Sequence, residues 1–245
     1  MLIKKLLCST LIGGILFLSF TSAASATTVA ELEQQIAPDA ASVLKEIKEA
    51  NKHKDNNKAL QLADIIIEKY QGDNPTLIRA YLEKVSAYIA LKDIKSARLA
   101  CETAYNLDPT YTECEYYMGQ VLRKENKYSE AITFFTKCIE NEGGKNPSHV
   151  YWWRGFCFEK LKDYSTALKD YQKAISIESD VSTYYFSEGY AYYMLKNYTS
   201  AAESFSKAIM FEPTYKKPYI FRARCYRALG SEEQAIQDEQ RANSL

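Results

Sequence analysis

Apolar and polar positions along this chain follow a helical period, and the whole pattern returns at a fixed interval. Tyr151, Gly155 and Phe158 are spaced i, i+4, i+7, which is one face of a helix. Ala167, Tyr171 and Ala174 repeat that spacing and predict a second helix. Between them, Leu161-Lys162-Asp163-Tyr164 is a short polar turn in which Asp163 can cap the second helix. Gly155 and Ala167 are small where the two helices must approach closely, and large rings fill the gaps beside those contacts. The same positions recur every 34 residues, as Gly155, Gly189 and Ala223, as Ala167, Ala201 and Ala235, and as Ala174, Ala208 and Ala242. Rings keep the register too, at Phe158, Tyr192 and Tyr226 and at Tyr171 and Phe205. One such hairpin cannot bury both of its apolar faces, so it needs a neighbour stacked on it.

The fullest copy runs Tyr185, Gly189, Tyr192, Ala201, Phe205, Ala208 and Pro213, with Tyr198 in the turn. This order resembles the tetratricopeptide repeat, in which an aromatic, a Gly or Ala, a Tyr, an Ala, an aromatic, an Ala and a Pro recur over 34 residues. The next copy keeps Tyr219, Ala223, Tyr226, Ala235 and Ala242 but has Glu239 in the second aromatic slot. The copy before it has Tyr151 to Ala174 in frame, with Ser179 in the proline slot. Further back, Gly119, Leu122, Ala131, Phe135 and Cys138 fit after allowing two extra residues in the Gly143-Gly144-Lys145-Asn146-Pro147 loop. Tyr81, Val85, Tyr88, Ala97, Cys101, Ala104 and Pro109 make another unit, and a degenerate one covers about Ala40 to Gln71. The resemblance implies an all-α protein: a right-handed α-solenoid of stacked antiparallel helix hairpins, with about five clear units and a degenerate first one, over 40–245. At the carboxyl end, Gln237, Asp238, Glu239, Gln240 and Arg241 are expected to solvate the outer face of the last helix.

Composition narrows the function. Lys plus Arg and Asp plus Glu both total 31, which leaves no long-range field to attract nucleic acid or an anionic membrane. Tyr is abundant at 20 while Gly (9) and Pro (6) are scarce, which fits long helices with rings available for a partner. The first stretch reads as an export address rather than as structure. Lys4 and Lys5 precede an apolar run from Leu6 to Phe20, and Ala24-Ser25-Ala26 supplies a cleavage pattern. The run is shorter than the roughly 20 residues of a membrane anchor. The expectation is a signal peptide over 1–26 cleaved after Ala26, an N-terminal segment 27–39, and a periplasmic or secreted product that meets the membrane only before cleavage. Five Cys then remain, Cys101, Cys114, Cys138, Cys157 and Cys225, an odd number with no C-x-x-C spacing. They read as small buried hydrophobes.

The resemblance further implies protein binding on a wall lined by the first helix of each pair. The wall positions come one after the packing aromatic, then four and seven further on. They are Leu82, Ser86 and Ile89, then Tyr116, Gln120 and Arg123, then Trp152, Phe156 and Glu159, then Phe186, Tyr190 and Tyr193, then Ile220, Arg224 and Arg227. None of these sets carries the Lys-Asn pair of family members that grip the acidic tails of heat-shock chaperones. The candidate partner-binding residues are Tyr116, Arg123, Trp152, Phe156, Phe186, Tyr190, Tyr193, Arg224 and Arg227. Rings flanked by guanidinium groups suit a peptide with apolar side chains and an acidic group. Rings at helical spacing also build cores, and the adjacent Trp152 and Trp153 are expected to face different sides of their helix. No nucleophile, P-loop, zinc or dinucleotide motif is present, so no enzyme, cofactor or metal is expected. The alternative is a binder of envelope polymer, peptidoglycan or polysaccharide, through the same rings. A homo-oligomer built through the carboxyl end is a further possibility.

Overall fold

The computed structural model describes residues 39–141 and 148–245. The expected signal peptide and nearly all of the segment 27–39 therefore lie outside the described residues. Twelve helices and no strand occur among the described residues: α1 (Ala40–Lys52), α2 (Asn56–Lys69), α3 (Asn74–Ala90), α4 (Ile94–Leu107), α5 (Thr112–Lys124), α6 (Tyr128–Asn141), α7 (Ser148–Lys160), α8 (Tyr164–Ile177), α9 (Ser182–Met194), α10 (Tyr198–Phe211), α11 (Lys216–Ala228) and α12 (Glu232–Asn243). Each helix packs on the next, and the first helices of successive hairpins also meet, α1 on α3, α3 on α5, α7 on α9 and α9 on α11. This is the α-solenoid that the repeat predicts. α5 and α7, between which the 36-residue spacing falls, meet chiefly through long side chains, Arg123 on Trp153 and Tyr116 on His149.

Within four of the hairpins one turn residue serves both helices. The backbone N–H groups of Asp55, Asp93, Lys127, Asp163, Asn197 and Ser231 reach back five residues to close the preceding helix, the last carbonyls of which would otherwise be orphaned. The side chains of Asp55, Asp93, Asp163 and Asn197 then accept the backbone N–H three residues on, capping the following helix. Asp163 thus caps α8 as its position predicts, through Thr166 N at 3.1 Å.

The small positions have a steric cause. A Cβ on Gly119 would stand 2.6 Å from the ring of Phe135, on Gly155 2.9 Å from Tyr171, and on Gly189 2.8 Å from Phe205. In the α3–α4 hairpin the same contact is made the other way round, with Val85 in the glycine place and Cys101 in the ring place, both fully buried. Summed volume is kept, as close packing requires. The five Cys of the described residues are all buried. Burial pushes the thiols of Cys101, Cys114 and Cys157 up to about 12 and that of Cys225 to about 11, so they pack as apolar groups at neutral pH.

Buried polar side chains repeat as well. Arg154 grips Asp170 with two bonds of 2.9 and 2.8 Å and reaches Thr136 of the preceding hairpin at 3.1 Å. Two hairpins later, Arg222 holds Asp238 and Ser206 in the same way. This corrects one expectation for the last helix. Asp238 is buried on Arg222, and Glu239 pairs with Arg227, so only part of that polar run solvates an outer face. The proline slot also has a cause. Tyr185 Oη donates to the carbonyl of Ser179 at 2.9 Å, and Tyr219 Oη to that of Pro213 at 3.1 Å. The latch uses a backbone carbonyl, so Ser179 serves as well as a proline.

Candidate functional site

The wall of first helices carries two groups of rings. The carboxyl-terminal group gathers on Phe221. Tyr190, Tyr193 and Phe186 lie edge-on to it at 5.4, 5.6 and 5.7 Å between ring centres, and Phe205 lies behind at 5.8 Å. Phe186 also meets Phe205 and Tyr215, at 5.7 and 5.3 Å, so it is held from several sides. Arg224 lies over the face of Phe221 at 4.8 Å and is exposed. Arg227 is exposed too, but both ends of its guanidinium are held by carboxylates, Glu232 at 3.1 Å and Glu239 at 2.7 Å. That pair closes the α11–α12 hairpin at the position where α6, α8 and α10 carry a ring.

The second group lies where α5 meets α7. Arg123 stacks on Trp153, 3.8 Å from guanidinium carbon to ring centre, with Phe156 at 5.7 Å. Trp153 meets Phe156 edge-on at 5.8 Å, and Lys160 lies 4.6 Å over Phe156. Tyr116 meets His149 edge-on at 5.0 Å and Tyr117 at 5.3 Å. An open pocket of about 220 Å³ lies beside them, lined by Lys48, Arg79, Leu82, Tyr116, His149 and Val150 among others. His149 is exposed, as its helix-start position suggests, and partial desolvation holds its imidazole below the ordinary value. Trp152 and Trp153 serve different clusters, yet their rings touch at 4.3 Å. Trp152 also donates Nε1–H to Ser187 Oγ at 2.8 Å, tying α7 to α9.

The predicted residues therefore fall into two neighbourhoods. Phe186, Tyr190, Tyr193 and Arg224 come together around Phe221, while Tyr116, Arg123 and Phe156 lie where α5 meets α7. Trp152 bridges toward α9, and Arg227 stands aside in its ion pairs. Phe221 and Trp153 were not singled out by the wall rule, although both sit at its centre. They occupy the position two after the packing aromatic, from which a side chain reaches back onto the preceding first helix. The signal was in the sequence, because Tyr117, Trp153 and Phe221 stand in the same register.

Antiparallel helix hairpins stacked in series at a 34-residue period define a helical repeat protein. A family model described as the tetratricopeptide repeat matches residues 78–111, 116–143, 148–181 and 182–215, more than half of the chain. The chain belongs to the tetratricopeptide-repeat family, whose members are protein-interaction scaffolds and generally not enzymes. Over 97 residues it is 31% identical to Hsp70-Hsp90 organizing protein 3 of Arabidopsis thaliana, a stretch that covers 39% of this chain and 17% of that protein. Among solved structures, PilW, described as a widely conserved type IV pilus biogenesis factor, superposes with a TM-score of 0.75 at 16% identity, over 85% of this chain and 94% of that one. MamA of Desulfovibrio magneticus RS-1 does so with a TM-score of 0.64 at 18% identity, over 71% and 96%. YrrB, described as a tetratricopeptide-repeat protein with an unusual peptide-binding site, gives 0.57 at 18% identity, over 66% and 83%. Identities this low carry the fold alone.

Proposed function

We propose that this protein is a non-catalytic adaptor of the cell envelope which binds a segment of another protein along its first-helix wall. The observation that carries the reading is the ring surface itself, half-exposed from Tyr116 through Phe156 to Tyr193 and edged by the exposed Arg224. Rings backed by other rings keep their conformation, so a partner meets them without a large ordering cost. Export rests on the sequence of 1–26, with 27–39 as an N-terminal segment and 40–245 as the binding domain. The likeness to a pilus biogenesis factor is compatible with an exported adaptor. The chaperone-tail mode suggested by the match to an Hsp70-Hsp90 organizing protein is disfavoured, because the wall lacks the Lys-Asn pair.

The test is crosslinked capture from the native envelope, comparing the chain with a Tyr190→Ala, Tyr193→Ala, Arg224→Ala variant of verified helicity. Phe186 is left intact because its packing against Phe205 and Phe221 makes it a poor probe of binding. A protein captured by the native chain and lost by the variant is the expected result. Equal capture by both moves the site off the carboxyl-terminal ring group. Capture of no protein, with retention on envelope polymer that soluble sugar fragments release, replaces the adaptor by the polymer binder.

A further inference from the structure

Four arginines are half-buried in the described structure, Arg98, Arg123, Arg154 and Arg222. Three of them grip a carboxylate with two bonds each, Arg98 on Glu125, Arg154 on Asp170 and Arg222 on Asp238. Arg123 grips none. Its Nε and Nη2 both donate to a single atom, Gln120 Oε1, at 3.2 and 2.8 Å, and Nη1 has no acceptor among the described residues. Two carboxylates at the ends of α5 and α7 are engaged elsewhere. Glu125 is held by Arg98 and Lys127, and Glu159 by Tyr171 Oη at 2.9 Å and Lys160 at 3.5 Å. Desolvation lowers the pKa of Arg123, the cost of a cation that is stacked under an indole without a counter-charge.

Gln120 is unsatisfied in a complementary way. A guanidinium has donors only, so the amide oxygen must face Arg123 and the amide nitrogen must turn away. That Nε2 makes no well-formed hydrogen bond, with only the Tyr116 hydroxyl beside it, on a side chain that is only 6% exposed. An unpaired buried donor beside an unpaired half-buried cation is unfavourable on both counts. Apolar side chains of the same size would fit this place without either penalty.

We infer that Gln120 and Arg123 form a subsite for the carboxylate of an acidic side chain carried by the bound partner segment. One carboxylate oxygen accepts from Arg123 Nη1 and the other from Gln120 Nε2, while Trp153 and Phe156 cover the apolar residue next to it. The inference rests on the partner-segment reading and names the chemistry that the segment must carry. It differs from a surface ion pair because the site is roofed by rings, so salt screens it weakly.

The test uses the full chain and two small probes, acetyl-glutamyl-phenylalanine amide and its glutaminyl counterpart, followed by NMR of the side-chain N–H signals of Gln120, Arg123 and Trp153. The expected result is saturable shifts with the acidic probe and binding about 10- to 100-fold weaker for the neutral one. A Gln120→Leu, Arg123→Met variant should lose that discrimination while its Tm stays level or rises, since it removes two unsatisfied groups. Equal response to both probes, or response to neither, overturns the inference. So does a marked fall in the variant's Tm, which would make the pair structural. The capture experiment above alters none of these residues, so a failed subsite and a failed adaptor reading give separate results.

Discussion

Lys92, Lys162 and Lys196 sit in the left-handed region, with φ of 64, 65 and 61°, at the same place in three successive or near-successive turns, and Asn126 joins them at 62°. Gly230 fills that place in the last hairpin with φ of 79°. A side chain there costs about 1–2 kcal/mol, because Cβ crowds the following carbonyl. Glycine avoids that cost but loses about 0.4–1 kcal/mol through greater freedom of the unfolded chain. The steric term is the larger, so Lys196→Gly should stabilise the protein by about 0.5–1 kcal/mol. Gly230→Ala should destabilise it by a similar amount. Urea midpoints for the two variants check this, and a Lys196→Gly midpoint below the parent's would show that the lysine makes a compensating contact. Alternation of small and large positions does not reveal these residues, since a left-handed lysine is spelled like any other. The glycines that do stand out, Gly119, Gly155 and Gly189, are needed for close approach to a ring and not for their backbone freedom.

At the scale of the helix, the shared caps at Asp55, Asp93, Asp163 and Asn197 tie the end of one element to the start of the next. Asp163 accepts from Thr166 and Ser165, and these bonds, with those from Thr166 the larger, hold its carboxyl below the usual range. A carboxyl with a depressed folded value stabilises the native state above the unfolded range near pH 4, and that contribution fades as pH falls through the folded value. Asp163→Ala should cost about 1 kcal/mol at neutral pH. Asp163→Asn should keep the cap, as Asn197 does one hairpin later, and should flatten the part of the acid-stability profile that Asp163 contributes. Thermal unfolding of the three proteins between neutral and acidic pH separates the effects. An Asn variant as unstable as the Ala variant would mean that charge, and not the cap bond, is what Asp163 supplies. Element type and turn position were legible here from Asp163 and its 34-residue equivalents. The ring positions of the wall were legible only in part, because Trp153 and Phe221 act across hairpins, and a rule written along one helix cannot show which residue reaches the helix before it. The orphaned amide of Gln120 was equally hidden, since it follows from where Arg123 points.

At the scale of the molecule, contacts run between neighbouring helices and between neighbouring hairpins, so stability is a sum of local terms coupled in one dimension. A lesion in one hairpin should therefore loosen that hairpin and those beyond it toward the nearer end, leaving distant ones protected. Gly189→Ala is a suitable lesion. Its new Cβ would meet the ring of Phe205 at 2.8 Å and the carbonyl oxygen of Ala201 at 3.2 Å, and the second of these is backbone that cannot swing aside. Overpacking of this kind costs about 1–3 kcal/mol. Phe205 also backs Phe186 and Phe221, so the strain passes from the α9–α10 hairpin straight into the carboxyl-terminal ring group. The expected outcome in native-state hydrogen exchange is faster exchange across α9 to α12, with protection in α1 to α6 near the parent's. Uniform loss of protection along all twelve helices would instead mean that the stack opens as one cooperative unit. The ring wall would then be coupled to its far end, and a partner seated on Phe221 would be felt at α1.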